Sequence, residues 1–158
     1  MSVEGQIDIS YVANFWLNDV KKPLMKALES APENKLNWAP ADNMMSLGNV
    51  FLHIVETGEW WIGTLIDGGT YKDRISEKSP PKGEIKKLLD EHWLRLQKFF
   101  ERSPQVLEKK YPYHDKERNK TREFEGRWIM LHLLEHDIHH RCQIFQYLRI
   151  LGIAPPRA

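Results

Sequence analysis

Apolar residues recur at helical spacing in four segments of the chain. In the first, from about residue 8 to residue 30 with Asp8 or Ser10 as the cap, Ile9, Val12, Trp16, Val20, Leu24 and Ala27 step by three or four and share one face. Pro23 lies inside this stretch and withholds a backbone donor, which predicts a kink or a break near Asp19. The second segment runs from about residue 45 to 67, where Asp67-Gly68-Gly69 stops it. Ser46, Val50, His53, Thr57, Trp60, Trp61 and Thr64 share one face and Met44, Phe51, Val55 and Ile62 the opposite one. Only Asn49, Glu56, Glu59 and Gly63 make a narrow polar stripe. The third segment, about 82 to 102, carries Ile85, Leu88, Leu89, His92, Trp93, Leu96, Phe99 and Phe100 on one side. The fourth runs from about 124 to 151, with Gly152 as its stop and Pro155-Pro156 beyond. On it Ile129, Leu133, His136, His140, Ile144, Tyr147 and Leu151 form one stripe, and Leu134, Ile138 and Phe145 a second apolar line.

Four helices of roughly 20 to 28 residues, about 30 to 42 Å long at 1.5 Å per residue, without a strand-period run, predict an all-α fold, a four-helix bundle. The polar stretch 103–123, with its KYPYHDKERNK, has no helical period; it is open to a loop or a short hairpin and is assigned as irregular. The connections between helices 1 and 2 and between helices 3 and 4 are long for an up-down-up-down bundle and permit crossovers. Apolar residues on two sides of helices 2 and 4 predict a homodimer packed through a helix face. The alternative is that helices 1 and 3 flank both sides and cover everything within one chain.

A length of 158 residues predicts one domain over 1–158. With 23 Lys and Arg against 22 Asp and Glu, the net charge of +1 argues against a nucleic-acid partner. The single cysteine, Cys142, excludes an intramolecular disulfide and any multi-cysteine zinc motif, and fits a reducing compartment. A mean hydropathy of −0.57 fits neither disorder nor a membrane protein. The opening MSVEGQIDIS lacks the pattern of a secretory signal, so a soluble, cytoplasmic protein without a membrane partner is expected.

Four of the seven histidines, His132, His136, His139 and His140, fall within nine residues of the last helix. His136 and His140 stand four apart, which brings their Cβ atoms to about 5–6 Å on one face and allows them to chelate one metal ion. His53, in the middle of helix 2 on the Val50–Thr57–Trp60 face, qualifies as a third ligand if that face meets helix 4. Two neutral imidazoles on an apolar stripe otherwise leave ring nitrogens in need of partners, at about 1–3 kcal/mol each if unmet. Spacing alone leaves both a metal centre and a pair of core histidines open. His92 is read as a core histidine bonded to a neighbour, and His132 and His139 as residues at the stripe's edge or behind the ligands. Three neutral imidazoles would leave a divalent ion its full charge and open positions, the pattern of a catalytic site, where Zn²⁺ can lower the pKa of bound water toward about 7. Zn²⁺ and Ni²⁺ head the candidates, and the ligand types do not exclude Fe²⁺ or Mn²⁺. Asn49, Glu56 and Asp137 are candidates to orient ligands or touch substrate, with plain surface polarity as the alternative. The basic run 116–122 is read as a solvated loop in preference to a cleft border that steers an acidic thiol.

The second-helix sequence LGNVFLHIVETGEWW and the last-helix sequence HLLEHDIHHRCQIFQYLRILGI resemble the DinB-like (damage-inducible) family, and the resemblance covers nearly the whole chain. It implies the DinB/YfiT-like four-helix-bundle metalloenzyme architecture. It also implies a metal held by one histidine of the second helix and an H-x-x-x-H pair of the last, which fall here on His53, His136 and His140. The family commonly has H-R-G-Q after the last ligand, whereas this chain has His140, Arg141, Cys142 and Gln143. Cys142 lies far around the helix from the histidine stripe, so this departure bears on packing and Cys142 is not read as a ligand. The wider superfamily includes metal-dependent transferases that use bacillithiol, mycothiol or glutathione, a thiol-dependent isomerase, and members without an established reaction. The resemblance therefore implies a metal-dependent transferase of stress or detoxification type, joining a small thiol to an electrophile. A coordinated thiol loses its proton near a divalent cation, and the thiolate is the reactive form. The alternatives are a hydrolase using metal-bound water, a non-catalytic stress protein whose metal fastens helix 2 to helix 4, and a helical interaction protein without metal.

Overall fold

The computed structural model of the chain describes residues 8–102 and 104–157; residues 1–7, where no secretory signal is read, lie outside the described residues, as do Ser103 and Ala158. The first helix, α1, is α-helical over Ile9–Phe15, π-helical over Trp16–Lys21 and α-helical again over Lys22–Ser30. Asp8 is its cap, accepting from the Ser10 amide at 2.9 Å. Pro23 produces no break. The chain widens into the π-helical stretch just ahead of it, and the Asp19 carbonyl, which an ordinary residue at 23 would bond, accepts instead from the Arg141 guanidinium.

Helix α2 runs over Leu47–Gly58 and continues as a π-helix over Glu59–Ile66. Ser46 caps it by accepting from the Asn49 amide at 3.3 Å. The Asp-Gly-Gly stop acts as expected, with Gly68 at φ +71°, a left-handed conformation that glycine takes without strain. Helix α3 covers Lys82–Glu101 and α4 covers Gly126–Ile150.

Between α3 and α4 the all-α and irregular assignments need correction. Strands β1 (Lys110–Asp115) and β2 (Lys120–Glu125) pair antiparallel, with Tyr113 opposite Arg122. Along β1 partly buried and exposed residues alternate, Tyr111 and Tyr113 facing inward, and Tyr113 meets Trp60 edge to face at 5.1 Å. Asn119, at φ +48°, makes the turn. Because Phe124 and Glu125 end β2, α4 begins two residues later than its periodicity implies. Its first residue is Gly126, where a Cβ would lie 2.0 Å from the Val106 carbonyl oxygen, so only glycine fits.

Both α1 and α2 pack chiefly against α3 and α4. The two long connections, 31–46 and 102–125, thus join helices that are not each other's main partners, which accounts for their length. One core fills the space between the four helices, with Trp16, Phe51, Leu89, Trp93, Phe99, Ile129 and Tyr147 all buried. The second apolar line of α2 is covered within the chain: Phe51, Val55 and Ile62 are buried, while Met44 is exposed. On α4, Leu134 and Ile138 are partly buried and Phe145 is buried. The α2 stripe of Asn49 and Glu56 is also buried, beneath the connection 67–81. Among the described residues no helix is long and apolar enough to cross a membrane.

Candidate metal centre

The packing of α2 on α4 turns the middle of one helix toward an i, i+4 pair on the other. The ring centroids of His136 and His140 are 4.3 Å apart, and each lies 4.9 Å from that of His53. One ring nitrogen from each of the three falls within 4.8 Å of the others. His140 is buried and the His136 side chain is 13% exposed, whereas the His53 side chain is 31% exposed, so the cluster opens to solvent on the His53 side.

A chain of hydrogen bonds sets the tautomer of His140. Tyr147 Oη donates to the Met45 carbonyl oxygen at 3.1 Å and therefore accepts from Gln143 Nε2, also at 3.1 Å. Gln143 Oε1 is left facing His140 Nδ1 at 2.8 Å, so that nitrogen carries the proton and Nε2 keeps its lone pair. The Thr57 hydroxyl lies 3.2 Å from His136 Nε2 and is placed to donate to it. On the other side of that ring, Nδ1 lies 3.7 Å from Asp137 Oδ1, and both atoms are buried without a hydrogen bond. His53 Nδ1 is likewise buried and unbonded, 3.5 Å from Glu56 Oε2.

Burial and the nearby His136 push the His140 imidazole down to about 4, against the smaller opposing effect of its bond to Gln143. Burial and His136 also hold His53 below the usual histidine range. Around neutrality these two rings are neutral, the form that binds a metal. The donor set fits a divalent cation: lone pairs that face one another repel, protons added to them would crowd positive charge, and a cation between them satisfies all three.

The residues expected to orient the ligands divide. Asp137 is fully buried behind His136, with Trp16 Nε1 donating to its Oδ2 at 2.8 Å and His92 Nε2 3.3 Å from the same oxygen. Burial raises its carboxyl, but the facing His136 and His92 rings and the bond from Trp16 outweigh that and hold it below the usual carboxylate range. His92 is the core histidine expected from its position on α3, and Gly58 leaves room for it, since a Cβ there would lie 2.4 Å from His92 Nδ1. Glu56 approaches His53. Asn49 serves the connection 67–81, donating to the Ser76 carbonyl oxygen at 2.8 Å.

That connection straps over α2. Tyr71 Oη donates to Glu56 Oε1 at 2.6 Å, the Arg74 amide donates to the same oxygen at 3.1 Å, and the Arg74 guanidinium grips Glu59 at 2.7 and 2.9 Å. Its bond to Glu56 raises the Tyr71 phenol to about 12, so it remains a donor. His132 stacks on Trp128 at 4.8 Å, with its centroid 6.3 Å from that of His136. His139 is exposed and Cys142 is exposed, and neither joins the cluster. Thr57, Gln143, Tyr147, Tyr71 and Arg74 were not singled out from the sequence. For Gln143 and Tyr147 a signal existed, because both fall within a fifth of a right angle or so of His136 around the helix, about 20° to either side at 100° per residue.

The DinB family model matches residues 1–158. No curated protein matches the chain. Among solved structures, the DinB-like protein YjoA from Bacillus subtilis is 17% identical with a TM-score of 0.70, covering 93% of this chain and 96% of that one. A DinB-like protein from Bacillus cereus ATCC 10987 is 19% identical with a TM-score of 0.70, covering 92% of this chain and 93% of that one. These likenesses extend the agreement from sequence pattern to fold, a mostly helical structure with a small hairpin. The chain belongs to the DinB family.

Proposed function

We propose that His53, His136 and His140 hold one divalent metal ion and that the protein is a metal-dependent enzyme joining a small thiol to an electrophile. The observation that carries the metal is the convergence of three imidazole nitrogens within 4.8 Å, in a cluster open on one side. In this reading the four helices form a bundle that frames the centre, and the protein works in a reducing cytoplasm. When bound, the ion supplies a Lewis acid that favours the deprotonated form of a thiol or water. The chain's own residues do the rest. Gln143 holds His140 in the Nδ1–H tautomer, Thr57 and Asp137 stand on either side of the His136 ring, and the exposed edge of His53 marks where substrate enters.

The test is turnover of a generic electrophile with a panel of low-molecular-weight thiols. The expected result is a rate that needs both thiol and metal and is lost in His136→Ala. No metal-dependent rate with any thiol would overturn the transferase assignment, and ester or amide cleavage without thiol would move it to a hydrolase.

A second reading, in which the metal fastens α2 to α4, draws on the supply of ligands from both helices. Chelation separates the two. An apo protein that keeps its fold supports the enzyme, and a cooperative loss of structure on metal removal supports the fastener.

A further inference from the structure

Glu56 has its two carboxylate oxygens turned to different parts of the molecule. Oε1 takes two donors from the strap, Tyr71 Oη at 2.6 Å and the Arg74 amide at 3.1 Å. Oε2 lies 3.5 Å from His53 Nδ1, a buried nitrogen without a hydrogen bond. We propose that Glu56 is a positioning residue that ties the 67–81 strap to His53, so that strap docking and occupancy of the His53–His136–His140 centre stabilise each other.

The inference rests on the metal-centre reading and adds a regulatory link to it. An imidazole that gives its Nε2 lone pair to a cation must carry its proton on Nδ1, and the cation polarises that N–H. Glu56 Oε2 stands 3.5 Å from that nitrogen and is the acceptor that a small adjustment of ring and carboxylate would engage. A carboxylate held at its other oxygen by two donors loses little freedom in making that bond, so a docked strap favours metal. Coupling is reciprocal, so bound metal favours the docked strap by the same factor. Arg74 gives the link its anchor, because its amide reads Glu56 while its guanidinium is fixed on Glu59.

Two substitutions separate the halves of the link. Glu56→Gln keeps an acceptor oxygen for Tyr71 and Arg74 but turns an NH2 toward His53 Nδ1–H. Tyr71→Phe removes one strap donor at an exposed position and leaves the carboxylate in place. The experiment measures Zn²⁺ affinity by chelator competition, hydrogen exchange of the Arg74 amide with and without Zn²⁺, and the His53 Nδ1–H signal by NMR. In the wild type, Zn²⁺ should slow exchange at Arg74 and produce a slowly exchanging His53 Nδ1–H. Glu56→Gln should lose both effects and weaken Zn²⁺ binding by about 10- to 100-fold, the usual range for a partner behind a ligand. Tyr71→Phe should weaken Zn²⁺ binding by about fivefold, at the low end of coupling between sites. Zn²⁺ binding with unchanged Arg74 exchange and a wild-type affinity in both variants overturns the link and leaves the metal centre standing. A wild type that binds no Zn²⁺ overturns the metal centre itself.

Discussion

Residues 136 and 137 are neighbours on α4, yet they belong to two buried polar clusters of opposite character. Asp137 is an anion with donors brought to it: Trp16 from α1 bonds its Oδ2, and His92 from α3 stands against the same oxygen. His136, with His53 and His140, is one of three bases whose lone pairs have only each other and a threonine hydroxyl for company. In the first cluster Asp137 Oδ2 is met by groups from two other helices and ties the fold together, while its Oδ1 and His92 Nδ1 have no hydrogen bond. The second lacks a positive charge of its own, and that deficit is what marks it as a place for a cation. Burial and histidine content do not separate them, since His92 is more buried than His53. What separates them is the kind of group at the centre, a carboxylate with donors turned toward one oxygen in the first and three imidazole bases turned toward one another in the second.

The largest effect is expected where the contrast is broken on the structural side. Asp137→Ala leaves Trp16 Nε1 and His92 without their acceptor in a dry core and should destabilise the protein by about 1–3 kcal/mol for each donor left unmet, read in urea unfolding. A loss under 1 kcal/mol would mean that the cluster is not what joins α1, α3 and α4. Gly58→Ala attacks the same cluster from α2, because its Cβ would lie 2.4 Å from His92 Nδ1 and displace that ring. A cost of about 1–3 kcal/mol is expected, with metal stoichiometry unchanged by elemental analysis.

On the histidine side the expected signature is pH dependence. His140 is depressed to about 4 from an ordinary 6.5, so the unfolded chain takes up a proton before the folded one does. Metal-free stability should therefore be full above about pH 6.5 and fall as the pH drops toward 4, with His53 contributing in the same direction. Urea midpoints across that window check it, and a slope that persists undiminished in His140→Ala would assign the effect elsewhere. The smallest effect is predicted for Cys142→Ser, a change at an exposed position away from the cluster. It should alter stability by no more than about 0.5 kcal/mol and leave metal content as in the wild type.

What the sequence made legible followed from period. The stripes from Ile9 to Ala27, Ile85 to Phe100 and Ile129 to Leu151 are long enough for 3.6-residue repetition to identify helices. The i, i+4 pair at His136 and His140 follows from the same geometry. His53 entered as a conditional partner from its face and as a ligand from the family resemblance, and the structure places it in the cluster. The rest depended on contacts without a period. The hairpin has only Tyr111 and Tyr113 on the inner side of β1, and it is Trp60 that gives Tyr113 something to face. Glu56 looked like an outward polar stripe because its covering donors come from Tyr71 and Arg74 in a segment without regular structure. Asp137 found its partner Trp16 across 121 residues of sequence. Pro23 announced a disturbance in α1, and the backbone widens there instead of breaking, with Arg141 from α4 supplying the donor that Pro23 lacks.

The most direct test of the contrast is the metal content of the untagged protein, wild type and His136→Ala, after equilibration with Zn²⁺ and dialysis. The account predicts about one equivalent per chain in the wild type, as one three-histidine site holds one ion, and none in His136→Ala, with both proteins folded by circular dichroism. A folded wild type that retains no metal, or a His136→Ala protein that retains as much as the wild type, would contradict the assignment of the histidine cluster as a metal centre.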